Sequence, residues 1–304
     1  MTIPSVDDGV RQRLTTRFGA NVAAWFDHLP TVLRSLAAHW QIEFGPPIAR
    51  GSVAVVMRCR RADGRPAVLK VSPDRARLAA EAAALGEWPT RHTPAVLAVD
   101  TRAGALLLEA IEPGDPLVAS MLYPDLGSVA ELLTCLHTTG RPHARYPRLA
   151  HRVTYLFDSG AKLYTLHPEL TEVVSPALYE RGRQLAARLA AQPSPAVLLH
   201  GDLTPSNLLD GGAARGLVAI DPAPCLGDPT FDAIDLLLWQ ADDLATIEGR
   251  ATSLAAAIGT DEHRLLDWCT AFAGMAALEL ARTPDPPLHR IDAAVALANQ
   301  ALAH

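Results

Sequence analysis

The stretch LLHGDLTPSNLLDGGAARGLVAIDP, residues 198–222, decides how the rest of the chain is interpreted. Its two short apolar runs, LLH and LVAI, each end on small, polar or acidic residues, as buried strands do where they enter turns. Asp202 is followed five residues later by Asn207, and Asp221 comes fourteen residues after that. Two ordinary turns would explain the residue types, but they give no reason for this spacing.

The spacing suits phosphoryl transfer from a nucleotide. One carboxylate must accept or orient the proton of the attacking hydroxyl, while an amide oxygen and a second carboxylate hold the metal ions that bridge the phosphates. A base and an amide five positions apart on one loop, with an acid one hairpin later, supply these groups. The predicted hairpin runs through NLLD, the turn GGAARG and LVAID.

Length and composition indicate a globular protein. A chain of 304 residues with 49% hydrophobic content can bury a large core and is long enough for two lobes. The N-terminal MTIPSVDDGV lacks an apolar signal region, and no apolar run is long enough to span a membrane. The four cysteines are scattered without metal-ligand spacing, which suits a reduced cytoplasm. We therefore expect a cytoplasmic protein without membrane contact, a monomer or weak dimer.

Charge is distributed unevenly along the chain. Residues 1–110 hold 14 Arg and Lys against 10 Asp and Glu, whereas residues 111–304 hold 13 against 23. A positive first part suits an anionic nucleotide and an acidic second part suits a cationic substrate, although solvated surface charge explains the same counts. Nucleic acid is not an expected partner, because no basic stripe is interleaved with aromatic residues.

The pattern of apolar residues predicts two lobes that divide near residue 110. Residues 7–40 read as helical, and Pro46 and Pro47 break this region. A strand hairpin, SVAVVMRCR to AVLKV, then precedes a helix over DRARLAAEAAALGEW and two further strands, VLAVD and ALLLEA. Beyond EPGDP nearly everything except the hairpin of residues 207–221 reads as helix. The predicted fold is α+β, with a small antiparallel N-terminal lobe (1–110) and a mostly helical C-terminal lobe (111–304).

Lys70 is the candidate phosphate-binding cation of the first lobe. It lies near the end of a predicted strand, and Glu81 follows eleven residues later on the predicted helix, an arrangement in which the acid orients the ammonium. Lys70 is one of only two lysines among 25 arginines, and a compact ammonium suits a point contact with phosphate. The stretch ARGSVAV should cover the phosphates through Ser52 and nearby backbone N–H groups.

The motifs HGDLTPSN, IDP and GDPTFDAIDL together resemble the aminoglycoside phosphotransferase family of kinase-like enzymes. The segment AWFDHLPTVLRSLAAHW, followed by ADGRPAVLKV, resembles more narrowly the aminoglycoside and hydroxyurea resistance kinases, a subgroup that includes streptomycin 6-phosphotransferases. The resemblance extends from about Trp25 to Trp239. It implies a two-lobe, protein-kinase-like fold and a cytoplasmic enzyme that uses ATP (or GTP) and Mg²⁺ to phosphorylate a small molecule.

The resemblance also implies roles for individual residues. Asp202 becomes the catalytic base, and Asn207 and Asp221 become the metal ligands. Lys70 becomes the phosphate-binding lysine with Glu81 as its partner, while Glu109 to Ile111 becomes an interlobe hinge that offers backbone groups to adenine. For His200 we expect a structural role beneath the catalytic loop. For Asp228, which precedes a proline, we expect a helix N-cap.

The acceptor is the least determined part of the prediction. A polycationic aminoglycoside such as streptomycin matches the acidic second lobe, and its phosphorylation would confer resistance. Hydroxyurea or another small hydroxylated metabolite is the alternative acceptor, and a catalytically inactive nucleotide-binding scaffold is the alternative of another class. The intact set Lys70, Asp202, Asn207 and Asp221 argues against the scaffold. The predicted acceptor contacts are Asp232, Asp235, Asp267 and Glu279.

Overall fold

The computed structural model describes residues 3–48, 53–192 and 195–300. The chain divides into two compact units, Met1–Gly114 and Asp115–His304. The first unit is built on an antiparallel sheet and the second is mostly helical, which confirms the predicted α+β class. None of the helices within the described ranges is both long and apolar enough to cross a membrane.

The first unit contains one five-stranded antiparallel sheet in the order β1-β2-β3-β5-β4. Its elements are helices α1 (Asp8–Phe18), α2 (Val22–Trp40) and α3 (Arg75–Leu85), and strands β1 (Ile42–Ile48), β2 (Val55–Arg61), β3 (Pro66–Val71), β4 (Val96–Asp100) and β5 (Ala105–Glu109). Apolar residues of α2 pack on β2 and β3 to form its core, which includes Leu33, Met57 and Leu69.

The single helical region predicted for residues 7–40 is two helices. The carboxylate of Asp7 caps the first by accepting from the N–H groups of Gly9 and Val10. Gly19 then ends it with a φ of 76°, a left-handed conformation that glycine adopts without the steric cost of a Cβ. Apolar spacing alone does not report this break, because the periodicity continues on both sides of it.

Strand β1 was not predicted from the sequence, in which Pro46 and Pro47 indicate a break. Proline lacks the N–H that a central strand needs, but β1 lies at the edge of the sheet, where β2 is its one partner among the described strands. The register shifts between Phe44 and Pro47, so the irregularity falls where the prolines are. The edge position therefore lets a proline-containing segment join the sheet.

The second unit consists of helices around two short strand pairs. Its elements are helices α4 (Leu117–Ser120), α5 (Leu126–Thr139), α6 (Leu149–Leu166), α7 (Pro176–Ala191), α8 (Gly212–Arg215), α9 (Ile234–Leu238), α10 (Leu244–Ile258), α11 (Glu262–Ala281) and α12 (Leu288–Gln300), with strands β6 (Val197–Leu199), β7 (Leu208–Asp210), β8 (Leu217–Ala219) and β9 (Cys225–Gly227). Short 3₁₀ turns span Pro168–Glu172, Pro205–Asn207 and Pro229–Ala233.

Aromatic side chains hold together the helices that support the second unit's loops. Phe157 of α6 lies 5.0 Å from Phe272 of α11, between ring centroids, and 5.3 Å from Tyr179 of α7. Phe231 contacts Trp268 edge to face at 5.3 Å. Such pairs add to the free energy gained from burial, and they stabilise the packing of α6, α7 and α11 against one another.

One strand of this unit, β9, was not predicted, whereas β6 matches the run LLH that was expected to be a buried strand. The antiparallel pair β6 and β9 flanks the predicted hairpin, which β7 and β8 form. At three residues each, they are too short to show a sequence period, yet Leu198 and Leu199 on β6 are fully buried. They fix both ends of the segment that carries the motif.

Candidate active site

Lys70 and Glu81 form a buried ion pair in the first unit. Lys70 lies on β3 and Glu81 on α3, and Lys70 Nζ is 2.5 Å from Glu81 Oε1. Each side chain is only 4% exposed. Asp74 caps α3 by accepting from the N–H of Arg77, which fixes the start of the helix that presents Glu81. A buried ammonium held by a carboxylate is oriented to bind a phosphate.

The other predicted nucleotide contacts in this unit differ in their surroundings. Glu109 ends β5, and its Oε2 accepts from the N–H of Ala95 at 3.1 Å, so its carboxylate is bonded to its own sheet. The side chain of Ile111 is buried. Only backbone groups of these residues therefore remain as candidates for contact with adenine. Ser52 lies outside the described residues.

In the second unit, Asn207 directly precedes the β7–β8 hairpin and Asp221 follows it, so both residues lie at the open end of the hairpin. Asn207 immediately precedes β7, its carbonyl accepts from the N–H of Ile220 at 2.9 Å, and Asp221 is the next residue. Asp221 has a φ of 60°, which few non-glycine residues adopt and which aspartate tolerates better than most. Such conformations occur preferentially at functional sites.

Asp202 is held from two sides. Arg152 Nη2 on α6 donates to Asp202 Oδ1 at 2.8 Å, and Arg152 Nε donates to the carbonyl of Gly201 at 2.8 Å. Asn207 Nδ2 donates to the backbone carbonyl of Asp202 at 2.8 Å and makes a longer 3.3 Å contact with Oδ2. The Asp202 side chain is 29% exposed, so the carboxylate is both positioned and open to solvent.

Asp232 supports the loop from beneath. Its Oδ1 accepts from the N–H of Gly201 at 2.8 Å, and its Oδ2 accepts from the N–H of His200 and lies 2.9 Å from His137 Nε2. Burial alone would raise the pKa of Asp232, but the hydrogen bond and charge of His137 and the bond from Gly201 lower it. Because its side chain is fully buried, the sequence prediction of an acceptor contact is corrected: Asp232 holds the loop backbone.

Gly201 and His200 show why the loop needs these residue types. Gly201 has a φ of 73°, and a Cβ there would overlap the carbonyl oxygen of Ala223, so only glycine fits. His200 is completely buried and its Nε2 donates to the carbonyl of Ile220 at 3.0 Å. Burial lowers the pKa of His200, which favours the neutral ring. Its contacts fit the structural role expected from the sequence.

Asp228 is a helix cap, as predicted. Its Oδ1 accepts from the N–H of Thr230 at the start of the 3₁₀ turn that begins with Pro229. Its Oδ2 accepts from Arg264 Nε at 2.6 Å and Trp268 Nε1 at 3.0 Å. Although burial raises the pKa of Asp228, these hydrogen bonds lower it overall. The residue anchors the segment that carries Asp232.

Asp235 and Glu279 are two acids that interact electrostatically with Asp202, and both are exposed to solvent. Desolvation by the surrounding protein, followed by the negative charges of Glu279 and Asp202, raises the pKa of Asp235 to about 7. Desolvation and the charge of Asp202 also raise the pKa of Glu279, while Arg282 opposes the shift. An acidic surface of this kind next to Asp202 favours a cation.

Asp267, the fourth predicted acceptor contact, lies well before Glu279 on the same helix. It lies on α11 with Glu279, and twelve helical residues correspond to about 18 Å along the helix axis. Asp267 is half-buried, whereas Glu279 is exposed. The role of Asp267 as an acceptor contact stays a prediction from the sequence.

The donor atoms of Asn207 and Asp221 fit Mg²⁺. Mg²⁺ prefers oxygen ligands and usually keeps several waters, with one or two carboxylates and the substrate phosphates completing its shell. The two bonds that Asn207 Nδ2 makes to Asp202 leave Oδ1 as the amide atom able to bind a cation. No group of three or more His, Cys, Asp or Glu side chains poised for a metal occurs in the described ranges.

Two supporting residues, Arg152 and His137, were missed by sequence reasoning. Arg152 lies 50 positions before Asp202, and His137 lies 95 positions before Asp232. Both belong to amphipathic helices in which an arginine or a histidine is unremarkable. No local motif marks either residue, because their partners are assembled only by the packing of α5 and α6 around the loop.

The family model for aminoglycoside/hydroxyurea antibiotic resistance kinases matches residues 39–283 of this chain. The chain belongs to this family. Its members are ATP-dependent phosphotransferases, and the residues matched include both the Lys70–Glu81 pair and the loop around Asp202. This agrees with the resemblance seen in the motifs.

Curated relatives match over most of their length. Streptomycin 6-kinase from Streptomyces glaucescens is 28% identical over 264 residues, which cover 83% of this chain and 82% of that protein. Hydroxyurea phosphotransferase from Kitasatospora aureofaciens is 29% identical over 259 residues, covering 82% and 72%. The chain is thus similar to enzymes with two different acceptors.

Solved structures support the kinase-like fold. The choline kinase LicA from Streptococcus pneumoniae aligns with a TM-score of 0.61 at 14% identity, covering 90% of this chain and 99% of that one. At this level of identity the similarity shows the fold alone. It confirms the predicted fold class.

Proposed function

We propose that this enzyme transfers the γ-phosphoryl group of ATP to a hydroxyl of a cationic aminoglycoside such as streptomycin, and thereby confers resistance. The observation that carries the choice of acceptor is the placement of Asp235 and Glu279, two exposed acids that interact with Asp202. Cationic groups are drawn to such a surface, whereas a neutral acceptor gains little from it. The similarity to streptomycin 6-kinase supports the same class of acceptor.

In the proposed mechanism Asp202 acts as the general base. The acceptor hydroxyl gives its proton to the Asp202 carboxylate while its oxygen bonds to the γ-phosphorus, and the bond from that phosphorus to the β–γ bridging oxygen breaks to release ADP. The 29% exposure of the carboxylate leaves it accessible to a hydroxyl. The protein forms no covalent intermediate, so positioning is its main contribution.

Asn207 and Asp221 are the proposed ligands of Mg²⁺, which when bound neutralises the charge on the phosphates. The Lys70 ammonium, held by Glu81, is the proposed contact for the α- and β-phosphates. Backbone groups from Glu109 to Ile111 are the proposed adenine contacts. We assign Asp202 as base, and Asp235 and Glu279 as acceptor contacts, in this scheme.

Hydroxyurea is the second candidate acceptor, because hydroxyurea phosphotransferase is 29% identical to this chain. A small neutral acceptor makes no use of the charge on Asp235 and Glu279. Substituting either acid therefore separates the two candidates: the change should weaken streptomycin binding and leave hydroxyurea kinetics intact.

The experiment that tests the proposal is an acceptor panel with the purified protein. ADP release is measured with Mg·ATP and each of streptomycin, other aminoglycosides and hydroxyurea. We expect the highest kcat/KM with an aminoglycoside. A neutral acceptor with the highest value would refute the proposed acceptor class, and ADP release with none of them would refute the proposed function.

A further inference from the structure

Arg152 is the one positively charged side chain that contacts the carboxylate of Asp202 within the described residues. It comes from α6, outside the loop, and its side chain is only 10% exposed. Its planar guanidinium donates from Nε to the carbonyl of Gly201 and from Nη2 to Asp202 Oδ1, both at 2.8 Å. A rigid fork that bonds two successive residues fixes both the position of Asp202 and the rotation of its carboxylate.

The two oxygens of Asp202 consequently have different environments. Oδ1 accepts a short, charge-assisted bond from Arg152, so that oxygen is already occupied. Among the described residues, Oδ2 receives only the 3.3 Å contact from Asn207 Nδ2, which is close to the limit for a hydrogen bond. The oxygen that remains available for a new hydrogen bond is therefore Oδ2.

We propose that Arg152 is a positioning residue for phosphoryl transfer: it occupies Oδ1 of Asp202 so that Oδ2 faces the acceptor hydroxyl. The inference rests on the proposed role of Asp202 as base. The proton moves from the acceptor oxygen to Oδ2, the acceptor oxygen bonds to the γ-phosphorus, and the bond to the leaving ADP oxygen breaks. Arg152 itself neither gains nor loses a proton.

The charges around Asp202 give a second reason for a guanidinium at this place. Asp235 and Glu279 are acidic neighbours of Asp202, and Arg152 also lowers the pKa of Asp235. A cationic acceptor carries ammonium groups that compete with its hydroxyl for a bare carboxylate. With Oδ1 already paired to Arg152, an ammonium group of the acceptor is attracted less strongly to Asp202. It binds Asp235 and Glu279 instead.

A purely structural role makes different predictions and can be separated by kinetics. If Arg152 only supported the loop through the carbonyl of Gly201, its loss would disturb the loop whether or not residue 202 were a base. If it acts through Asp202, its loss should lower kcat with little change in KM for Mg·ATP or acceptor. It should also matter only while Asp202 is present.

The test uses the full chain with the best acceptor of the panel and the variants Arg152→Met, Arg152→Lys and Asp202→Asn. Lys162→Met is the matched control, since Lys162 is an exposed cation on the same helix. We expect Arg152→Met to lower kcat by about 10- to 100-fold with both KM values within about twofold. Arg152→Lys keeps the charge but loses the fork, so its kcat should lie between those of wild type and Arg152→Met. The kcat of Lys162→Met should match that of wild type.

The double variant gives the decisive comparison. In the Asp202→Asn background, adding Arg152→Met should lower kcat by no more than about twofold further. Additive losses, or wild-type kcat in Arg152→Met, would overturn the positioning role. If Asp202→Asn itself turned over normally, the base role in the proposed function would fail, and the inference with it. Should Arg152→Met not fold, as judged by circular dichroism, Arg152→Lys alone and with Asp202→Asn provides the same comparison.

Discussion

The backbone N–H of Gly201 donates a 2.8 Å hydrogen bond to Asp232 Oδ1, across 31 positions of sequence. The other oxygen of Asp232 accepts from the neighbouring N–H of His200, so a single buried carboxylate binds two consecutive amides of the loop. Gly201 directly precedes Asp202, the proposed base. The position of that base therefore depends on a carboxylate that is itself fully buried.

The first prediction follows from this support. Asp232→Ala leaves two buried N–H groups without their acceptor, and we expect a loss of about 2–4 kcal/mol in the free energy of unfolding. Chemical denaturation measures the loss. Asp242→Ala is the control, because Asp242 pairs with His289 and Arg290 at the surface, where such pairs contribute little. Equal stability of the Asp232→Ala and Asp242→Ala variants would contradict the supporting role of Asp232.

Asp221→Ala tests the proposed Mg²⁺ site. With Asn207 as the one remaining proposed ligand, we expect the affinity for Mg·ATP to fall at least about tenfold, because the triphosphate needs the cation that Asp221 is proposed to hold. Isothermal titration calorimetry with and without Mg²⁺ gives the comparison. Asp210→Ala, at the exposed far end of β7, is the control. Unchanged Mg·ATP affinity in Asp221→Ala would remove Asp221 from the metal site.

The buried pair in the first unit predicts two distinguishable defects. Lys70→Met removes the proposed phosphate contact, and we expect kcat/KM for ATP to fall by about 10²-fold or more. Glu81→Gln keeps the ammonium but loosens its orientation, so a smaller loss is expected. Steady-state kinetics at varied ATP concentration measures both variants. A larger loss in Glu81→Gln than in Lys70→Met would contradict the assignment of Lys70 as the phosphate ligand.

The raised pKa of Asp235 predicts how a cationic acceptor responds to pH. Its pKa is about 7, so the carboxyl is charged above that pH and neutral below it. We therefore expect KM for streptomycin to rise several-fold as the pH falls from 8 to about 6, and Asp235→Asn to lose much of this dependence.

The same attraction is screened by salt over about 8–10 Å, so kcat/KM should fall as ionic strength increases. Hydroxyurea should show neither trend, and a streptomycin KM indifferent to both pH and salt would exclude Asp235 as an acceptor contact.

The contacts of the site that could be predicted join residues that are close together in the sequence. A hairpin joins residues that are close in sequence, so the spacing of Asn207 and Asp221 was sufficient to predict that they lie together. Lys70 lies on a strand and Glu81 on the helix that directly follows it. Their separation of eleven residues was likewise sufficient to predict that they pair.

The part that sequence could not provide depends on packing between distant elements. Arg152 reaches the loop only because α6 packs beside it, and no periodicity in one sequence encodes that contact. Asp232 and Asp235 are three residues apart, a spacing that places two side chains on one face of a helix, yet one is buried under the loop and the other is exposed. Burial separates their roles, and it is set by the 3₁₀ turn of Pro229–Ala233 that leads into α9.

Asp202 is the proposed base of a phosphotransferase that acts on an aminoglycoside, and a comparison of wild type with Asp202→Asn tests both parts of this proposal. Purified wild type and Asp202→Asn are each incubated with saturating Mg·ATP and streptomycin, and phosphorylated streptomycin is followed by mass spectrometry while calorimetry reports Mg·ATP binding. We expect wild type to add one phosphate, and Asp202→Asn to bind Mg·ATP normally with kcat lower by about 10²- to 10⁴-fold. Near-normal turnover by Asp202→Asn, or no phosphorylated product from wild type, would contradict the account.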